Sequence, residues 1–304
     1  MRRWFNLINL IFINNINLRV TIFLFIMNYL ILDLSYVNFY RFYATAQWYK
    51  NAHPEETIEK GYDWSKNIVF MEKFKKMFIT HYKNYIKKFK IDKIIIARDC
   101  PRDDIWRVSL YPEYKGTRKL NYTKNKFMGG KVFKWCYENI IPELLNENAI
   151  QIKVDNLEAD DLIYLSSKKI IDDNMESNIT IISSDHDLLQ IIDLSPNISL
   201  YTANVKCYND KYSGSANYEC FKKAILGDKS DNIASIFKRC GIKTVKKLYD
   251  DPQLLKDKFT KEDGNDSFKL FCRNKVLVDF RNIPPLYIDR YNNTVGPLVN
   301  NLFI

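Results

Sequence analysis

Three short runs of apolar, mostly β-branched residues each close on an aspartate: Asn28 to Asp33 (NYLILD), Asp92 to Asp99 (DKIIIARD) and residues 179 to 185 (ITIISSD). Runs of this length without polar alternation read as strands buried on both faces, which points to a parallel sheet covered by helices. Residues 198 to 202 (ISLYT) add a fourth strand. Between the first two runs, Phe70, Phe74, Met77, Phe78, Tyr82, Tyr85 and Phe89 recur at helical spacing among lysines, predicting a crossover helix over 66 to 90. Helical segments at 158 to 173 and 186 to 193 complete an α/β alternation. In such sheets ligands bind outside the carboxyl ends of the strands, where Asp33, Asp99 and Asp185 all fall.

The chain has 304 residues, enough for one large domain with a smaller appendage. Its 46 lysines and arginines against 36 acids leave a net charge of +10, which favours a polyanionic partner, nucleic acid first among them. Six cysteines without a C-x-x-C pair and only three histidines argue against zinc and for a reducing, intracellular setting. Residues 1 to 26 place basic residues before an apolar stretch, but asparagines and Arg19 interrupt it. A membrane span or secretory leader is therefore not expected, and a weak interfacial anchor is the alternative. Met27, directly before the first strand, is the expected functional start.

Carboxylates gather at the ends and starts of these elements: Asp33, Asp99, Glu158, Asp160 and Asp161 in LEADDL, Asp185 and Asp187 in SSDHDLLQ, Asp228 and Asp231 in LGDKSDN. Each group has a structural explanation of its own. The LEADDL acids suit the first turn of a helix capped by Asp155, Asp185 and Asp187 could cap the next helix, and Asp228 and Asp231 could belong to a plain turn. Together at one sheet edge they would repel one another unless cations neutralised them. An all-oxygen set of this kind suits hard cations such as Mg²⁺ or Mn²⁺.

A second constellation is basic and aromatic: Arg107, Tyr114, Lys115, Arg118, Lys119, Lys124 and Lys126 within the poorly periodic segment 106 to 131. Arginine can grip phosphate bidentately, lysine adds a point charge and tyrosine can stack on a base. Lys124 and Lys126 read more simply as a solvated loop. GDKSD is not a phosphate-binding loop, since the upstream glycine of that motif is missing. After about residue 216 the pattern turns helical and basic, densest at KRCGIKTVKK (238 to 247).

In their order along the chain, Asp33, Asp99, Arg107 with YKGTR (114 to 118), EADD (158 to 161), SSDHDLLQ (183 to 190), GDKSDNI (227 to 233) and NKVLVDFRNIP (274 to 284) resemble the 5′-nuclease family. That family includes flap endonucleases, phage 5′-3′ exonucleases, T-even phage ribonuclease H and the 5′-nuclease domain of bacterial DNA polymerase I; the resemblance covers roughly residues 28 to 285. It implies a PIN-like, mostly parallel sheet flanked by helices, with a helical arch at about 106 to 131 and a smaller C-terminal helix-hairpin-helix-type region.

The domains would then be an extension at 1 to 27, a catalytic domain at 28 to 215 and a duplex-binding region at 216 to 304. The resemblance further implies two Mg²⁺ ions, with Mn²⁺ able to substitute. Asp33, Asp99, Glu158 and Asp160 would hold one, while Asp161, Asp185, Asp187, Asp228 and Asp231 would hold or orient the other. Lys115 and Arg118 would meet the scissile phosphate at the base of the arch, with Arg107 and Tyr114 beside them. Lys119, Lys238, Arg239, Gly241, Lys243, Thr244, Lys246 and Lys247 would contact DNA.

The expected substrate is DNA with a 5′ flap or 5′ end, or an RNA-DNA hybrid, cut by an intracellular monomer working with replication proteins and no membrane. Two features depart from the family pattern. Leu34 replaces the glycine that usually follows the first aspartate. ASIFKRCGIKT keeps only Gly241 of the usual G-I-G-x-K-T and runs one residue longer, which puts a potassium site and a tight duplex grip in question. The rival readings are a non-catalytic nucleic-acid-binding protein and a PIN-type ribonuclease.

Overall fold

The computed structural model describes residues 26 to 302, apart from 213, 263 and 264; residues 1 to 25, the bulk of the expected extension, lie outside the described residues. Strands β1 (Asn28–Asp33), β2 (Lys93–Ala97), β3 (Ala149–Ile152), β4 (Asn178–Ile182) and β5 (Ile198–Tyr201) form one parallel sheet in the order β3-β2-β1-β4-β5. The four expected strands are present. β3, a four-residue edge strand (AIQI), is an addition too short to show a pattern.

Side chains alternate between the two faces of the sheet, and both faces are dry. Tyr29, Ile31, Ile95 and Ile181 enter one core with Leu162, Ile163 and Leu200. Leu30, Leu32, Ile94, Ile96 and Ile182 enter the other with Phe70, Phe74 and Phe78. Burial on both sides is why these strands read as continuous apolar runs.

The expected crossover helix runs Ile68–Phe89, capped by Asn67, whose side chain accepts from Phe70 N (2.8 Å), and ended by Lys90 in the left-handed conformation (φ 51°). Its buried stripe is Phe70, Phe74, Phe78, Tyr82 and Tyr85, with Met77 half-exposed instead of on the stripe. A second long helix, Leu34–Ala52, precedes it and was not expected. Its buried face carries Asn38, Arg41 and Thr45 among the apolar residues, so hydrophobic periodicity is broken where it would have marked the helix.

The segment 186 to 193, expected as helical, is a 3-10 helix over His186–Leu194 capped by Asp185. Asp155 does not cap the LEADDL helix (Ala159–Asp173), whose N-cap is Glu158.

Helix Ala216–Leu226, a hairpin and helix Ile242–Asp250 form the helix-hairpin-helix-type unit, closed by helices Pro252–Glu262 and Asn265–Val278. The region from 216 to the C-terminus is nevertheless not one spatial unit. Phe280, Ile283, Tyr291, Val295, Val299 and Leu302 return to the sheet core, and the Tyr291 hydroxyl lies 2.9 Å from Ser166 Oγ. Among the described residues no helix is long and apolar enough to cross a membrane.

Candidate metal centre and active site

The strand order reverses at β1, and the crevice there collects the acids. Asp33 ends β1 in register with Ala97, and its Oδ1 accepts from Tyr36 N (3.0 Å), so it caps helix Leu34–Ala52. Ser183 Oγ, just past β4, donates to Asp33 Oδ2 (2.8 Å). Asp99 follows β2, where Oδ1 accepts from Ala159 N (2.8 Å) and Oδ2 from Ser35 Oγ. Asp185 Oδ1 accepts from Asp187 N (2.8 Å). Asp33, Asp185, Asp187 and Asp228 line one open cavity of about 520 Å³. Asp160 joins them electrostatically through Asp185 and Asp33.

The GDKSDNI segment is a tight turn in which Asp228 and Ile233 exchange both backbone hydrogen bonds (2.8 Å each). Gly227 is required there, since its φ is +70° and an added Cβ would lie 2.3 Å from Ile233 O. The turn brings Asp228 and Asp231 to Asp187, with one ligand oxygen from each within 4.8 Å of the others.

Four cations touch this cluster among the described residues. Glu158 receives Lys115 Nζ, Arg107 Nη1 (2.9 Å) and the Tyr114 hydroxyl (3.1 Å). Asp231 receives Arg118 Nη2 (2.8 Å) and the Tyr114 hydroxyl (3.2 Å). Lys223 Nζ bonds both Asp187 and Asp228, the latter at 2.7 Å. Arg107 spans Asp161 with two hydrogen bonds (2.8 and 2.9 Å) and anchors itself on Leu277 O through Nε (2.8 Å).

Three expectations change accordingly. Asp161, wholly buried, has both oxygens engaged by Arg107 and also accepts from Trp106 Nε1 (3.0 Å) and Glu158 N (3.1 Å), so it braces the site and offers no free face to a cation. Arg107 and Tyr114 are buried against carboxylates and hold them in place, where an arginine grip on phosphate and a tyrosine stacked on a base were expected. Lys223 was missed altogether. A lone lysine in a helix has no motif, and only its place one turn before the GD turn could have drawn attention.

The basic residues expected to contact DNA do not line the cavity. Lys238, Arg239, Lys243, Lys246 and Lys247 are exposed on the hairpin and the start of its second helix, with Thr244 half-buried and Lys246 paired to Asp250 (2.6 Å). Gly241 has extended backbone (φ −109°, ψ 175°) and open space where a Cβ would sit, so the fold does not demand glycine there. Lys119 belongs to the arch helix Thr117–Asn125, and its side chain lies outside the described residues. The aromatic residues Tyr122 and Phe127 stack this arch on Phe39 (centroids 6.3 and 5.3 Å).

The electrostatics show what the crevice lacks. Burial, with the charges of Asp99 and Asp185, pushes the Asp33 carboxyl up to about 7. Burial pushes Asp187 up to about 7 in spite of Lys223, with Asp185 and Asp231 adding to it. Asp160 is raised well above the carboxylate range by burial, Asp185 and Asp33. Burial would raise Glu158 as well, but Lys115 and Arg107 hold it at about 2. Buried acids raised in this way, with carboxylate oxygens of Asp187, Asp228 and Asp231 brought together, fit divalent cations.

A stability prediction follows. Asp33 and Asp187 bind protons in the folded chain up to about pH 7 but release them near the ordinary 3.8 when unfolded. The native state thus binds more protons across this window, and stability falls as pH rises. In EDTA the melting temperature is expected to drop by about 5–10 °C between pH 5 and pH 7.5. Mg²⁺ should restore more of it at pH 7.5 than at pH 5. Calorimetry showing a flat or rising melting temperature in EDTA would contradict the electrostatics.

A parallel α/β sheet with a carboxylate-rich crevice at its topological switch suits a hydrolase of phosphate esters that works through divalent cations. The comparisons narrow the class. The sequence model of the 5′-3′ exonuclease, N-terminal resolvase-like domain, matches residues 28–221, and the chain belongs to this family of nucleases.

Ribonuclease H of Enterobacteria phage T4 is 26% identical over 234 residues, covering 72% of this chain and 75% of that protein. DNA polymerase I of Caldicellulosiruptor bescii is 29% identical over 212 residues, which is 66% of this chain but only 23% of the polymerase. Among solved structures, T5 5′-exonuclease with bound zinc superposes with a TM-score of 0.63 at 18% identity, covering 91% of this chain and 98% of that one. The bacteriophage T5 flap endonuclease in a pseudo-enzyme-product complex with DNA and metal ions gives 0.61 at 16% identity, with the same coverage. At these identities the structures establish a shared fold.

Proposed function

We propose that the chain is a structure-specific 5′ nuclease that uses two Mg²⁺ ions, replaceable by Mn²⁺, on DNA bearing a 5′ end or 5′ flap, or on RNA-primed DNA, in replication or repair. The observation that carries this reading is the imbalance in the crevice, where eight carboxylates gather in front of the Arg107-braced Asp161 and four internal cations meet the cluster. In this reading Asp33, Asp99, Glu158 and Asp160 hold one ion, and Asp185, Asp187, Asp228 and Asp231 hold the other.

When bound, such ions supply a nucleophilic water near neutral pH and Lewis acidity toward the phosphate. The chain's own residues do the rest. Arg107 and Tyr114 fix the Glu158 and Asp231 carboxylates in place. Ser183 and Ser35 orient Asp33 and Asp99. Lys115 and Arg118 stand at the foot of the arch, Lys115 on Glu158 and Arg118 on Asp231, where their charges would stabilise a phosphate oxygen brought to the crevice. Arg118, with its side chain 38% exposed, has the freer path.

The unit at 216 to 278 supplies the duplex contacts. Lys238, Arg239, Lys243, Lys246 and Lys247 meet phosphates on its exposed edge, so affinity should fall steeply with salt. Such a substrate sets the protein's work inside the cell, or inside the infected cell for a viral protein.

Cleavage of a 5′-labelled flap duplex, with and without Mg²⁺, beside blunt and RNA-primed duplexes, tests this reading. Metal-dependent cutting near the flap junction is expected. Binding without cutting under both Mg²⁺ and Mn²⁺ would instead assign the chain a non-catalytic role on nucleic acid.

A further inference from the structure

Lys223 is placed unlike the other three cations of the crevice. Arg107 and Arg118 each tie a guanidinium nitrogen to a backbone carbonyl, of Leu277 and Ser230, and Lys115 is fixed through its own amide N–H to Asp231 O (2.9 Å). The Lys223 ammonium, by contrast, bonds only Asp187 and Asp228 among the described residues. These are two of the three carboxylates whose oxygens lie within 4.8 Å of one another. The side chain is 16% exposed, and both Lys223 and its two partners line the open cavity. An ammonium group thus stands where the triad presents its negative charge to an incoming ion.

Given the two-cation reading above, we propose that Lys223 is a built-in stand-in for the second cation, neutralising the Asp187, Asp228 and Asp231 triad until an ion displaces it. A divalent ion and the Lys223 ammonium compete for the same Asp187 and Asp228 oxygens, and their mutual repulsion at such separations opposes the gain from holding both. Binding of the second ion therefore drives the lysine off Asp187 and Asp228 and into the adjoining cavity. There its ammonium becomes available to a phosphate oxygen of the substrate. Metal loading becomes ordered: of the first ion's four carboxylates only Glu158 carries resident cations, Lys115 and Arg107, so that ion binds first, while the second must outcompete Lys223 on both Asp187 and Asp228. The displaced charge also links the second ion to substrate, because a bound phosphate keeps the lysine from returning.

Titration with Mn²⁺, read by the paramagnetic resonance of the free ion, tests the assignment. Wild type is expected to bind one ion tightly and a second weakly. Lys223→Met, which keeps the aliphatic stem without the charge, is expected to tighten the second site about tenfold or more and leave the first within about threefold. Lys223→Arg, which keeps the charge, should keep the second site weak. Equal or weaker second-site binding in Lys223→Met would overturn the stand-in role.

A wild-type chain that bound fewer than two ions would overturn the two-cation reading itself, so the two failures are distinguishable. A measurement on the unmutated chain guards against misfolding of the variant. Acetylation of Lys223 by an N-hydroxysuccinimide ester, followed by peptide mass spectrometry, is expected to be slow in EDTA and about threefold or more faster in saturating Mn²⁺, as the amine leaves its carboxylates. Protection that is unchanged or increased by Mn²⁺ would also overturn it.

Discussion

Asp185→Asn is expected to lower Mg²⁺-dependent cleavage of a 5′-flap duplex by about 10³-fold or more, while binding of the same duplex stays within about threefold. The substitution separates the two jobs of this residue. As a cap of the His186–Leu194 helix, Asp185 offers Oδ1 to Asp187 N, and an asparagine oxygen accepts that bond equally well. As a member of the crevice it contributes a negative charge, and that charge is lost.

A bound cation is worth several kcal/mol of transition-state stabilisation, and each 1.36 kcal/mol is tenfold in rate, so loss of one ligand carboxylate readily reaches about 10³. The residues proposed to contact duplex lie on the exposed hairpin, outside the cavity that Asp185 lines, so binding should hardly change. Full activity in the variant, measured by initial rates at saturating Mg²⁺, would remove Asp185 from the metal centre.

Arg107→Ala should cost about 3–5 kcal/mol of stability, roughly a 10 °C fall in melting temperature, because it strands a buried charge. Asp161 is 0% exposed and Arg107 is 3% exposed, so no water replaces the two lost hydrogen bonds. Glu158 loses a partner in the same step, as does the Leu277 carbonyl that ties the catalytic sheet to helix Asn265–Val278. Replacing both partners by apolar residues of similar shape, Arg107→Met with Asp161→Leu, should recover only part of the loss: it removes the orphaned charge of Asp161 but leaves Trp106 Nε1, Glu158 N and the Leu277 carbonyl without their partners. Chemical denaturation of the three proteins measures this. A loss under about 1 kcal/mol for the single variant would mean that Asp161 finds another partner.

The two substitutions mark where reading the chain succeeded and where it stopped. Asp185 was legible because it ends an apolar run, and in a parallel sheet the residue after such a run faces the ligand crevice. Asp161 carries the same charge as its neighbour Asp160 in the EADD motif, three positions after Glu158, yet it faces a different way. Its first-turn position on helix Ala159–Asp173 turns it inward to Arg107, 54 residues earlier in the chain, while Asp160 turns toward Asp185 and Asp33. Sequence spacing shows that two adjacent acids differ by about 100° around a helix, but not which of them meets the core.

Similar reasons account for the other omissions. Helix Leu34–Ala52 buries Asn38, Arg41 and Thr45, so the polar residues that would signal an exposed face lie inside. The last helices look like an appendage to the hairpin region but pack on the sheet through Tyr291, Val295 and Val299, because a half-covered sheet face draws any amphipathic segment that can reach it.

Local sequence therefore determined the strands, the crossover helix and the acidic ends of the strands, since each depends on a period or a boundary contained within a few residues. Folding alone decided the charge pairing of the crevice: Asp161 on Arg107, Glu158 on Lys115, and Lys223 between Asp187 and Asp228. Coulomb energy depends on distance in space and on burial, and neither is a property of separation along the chain.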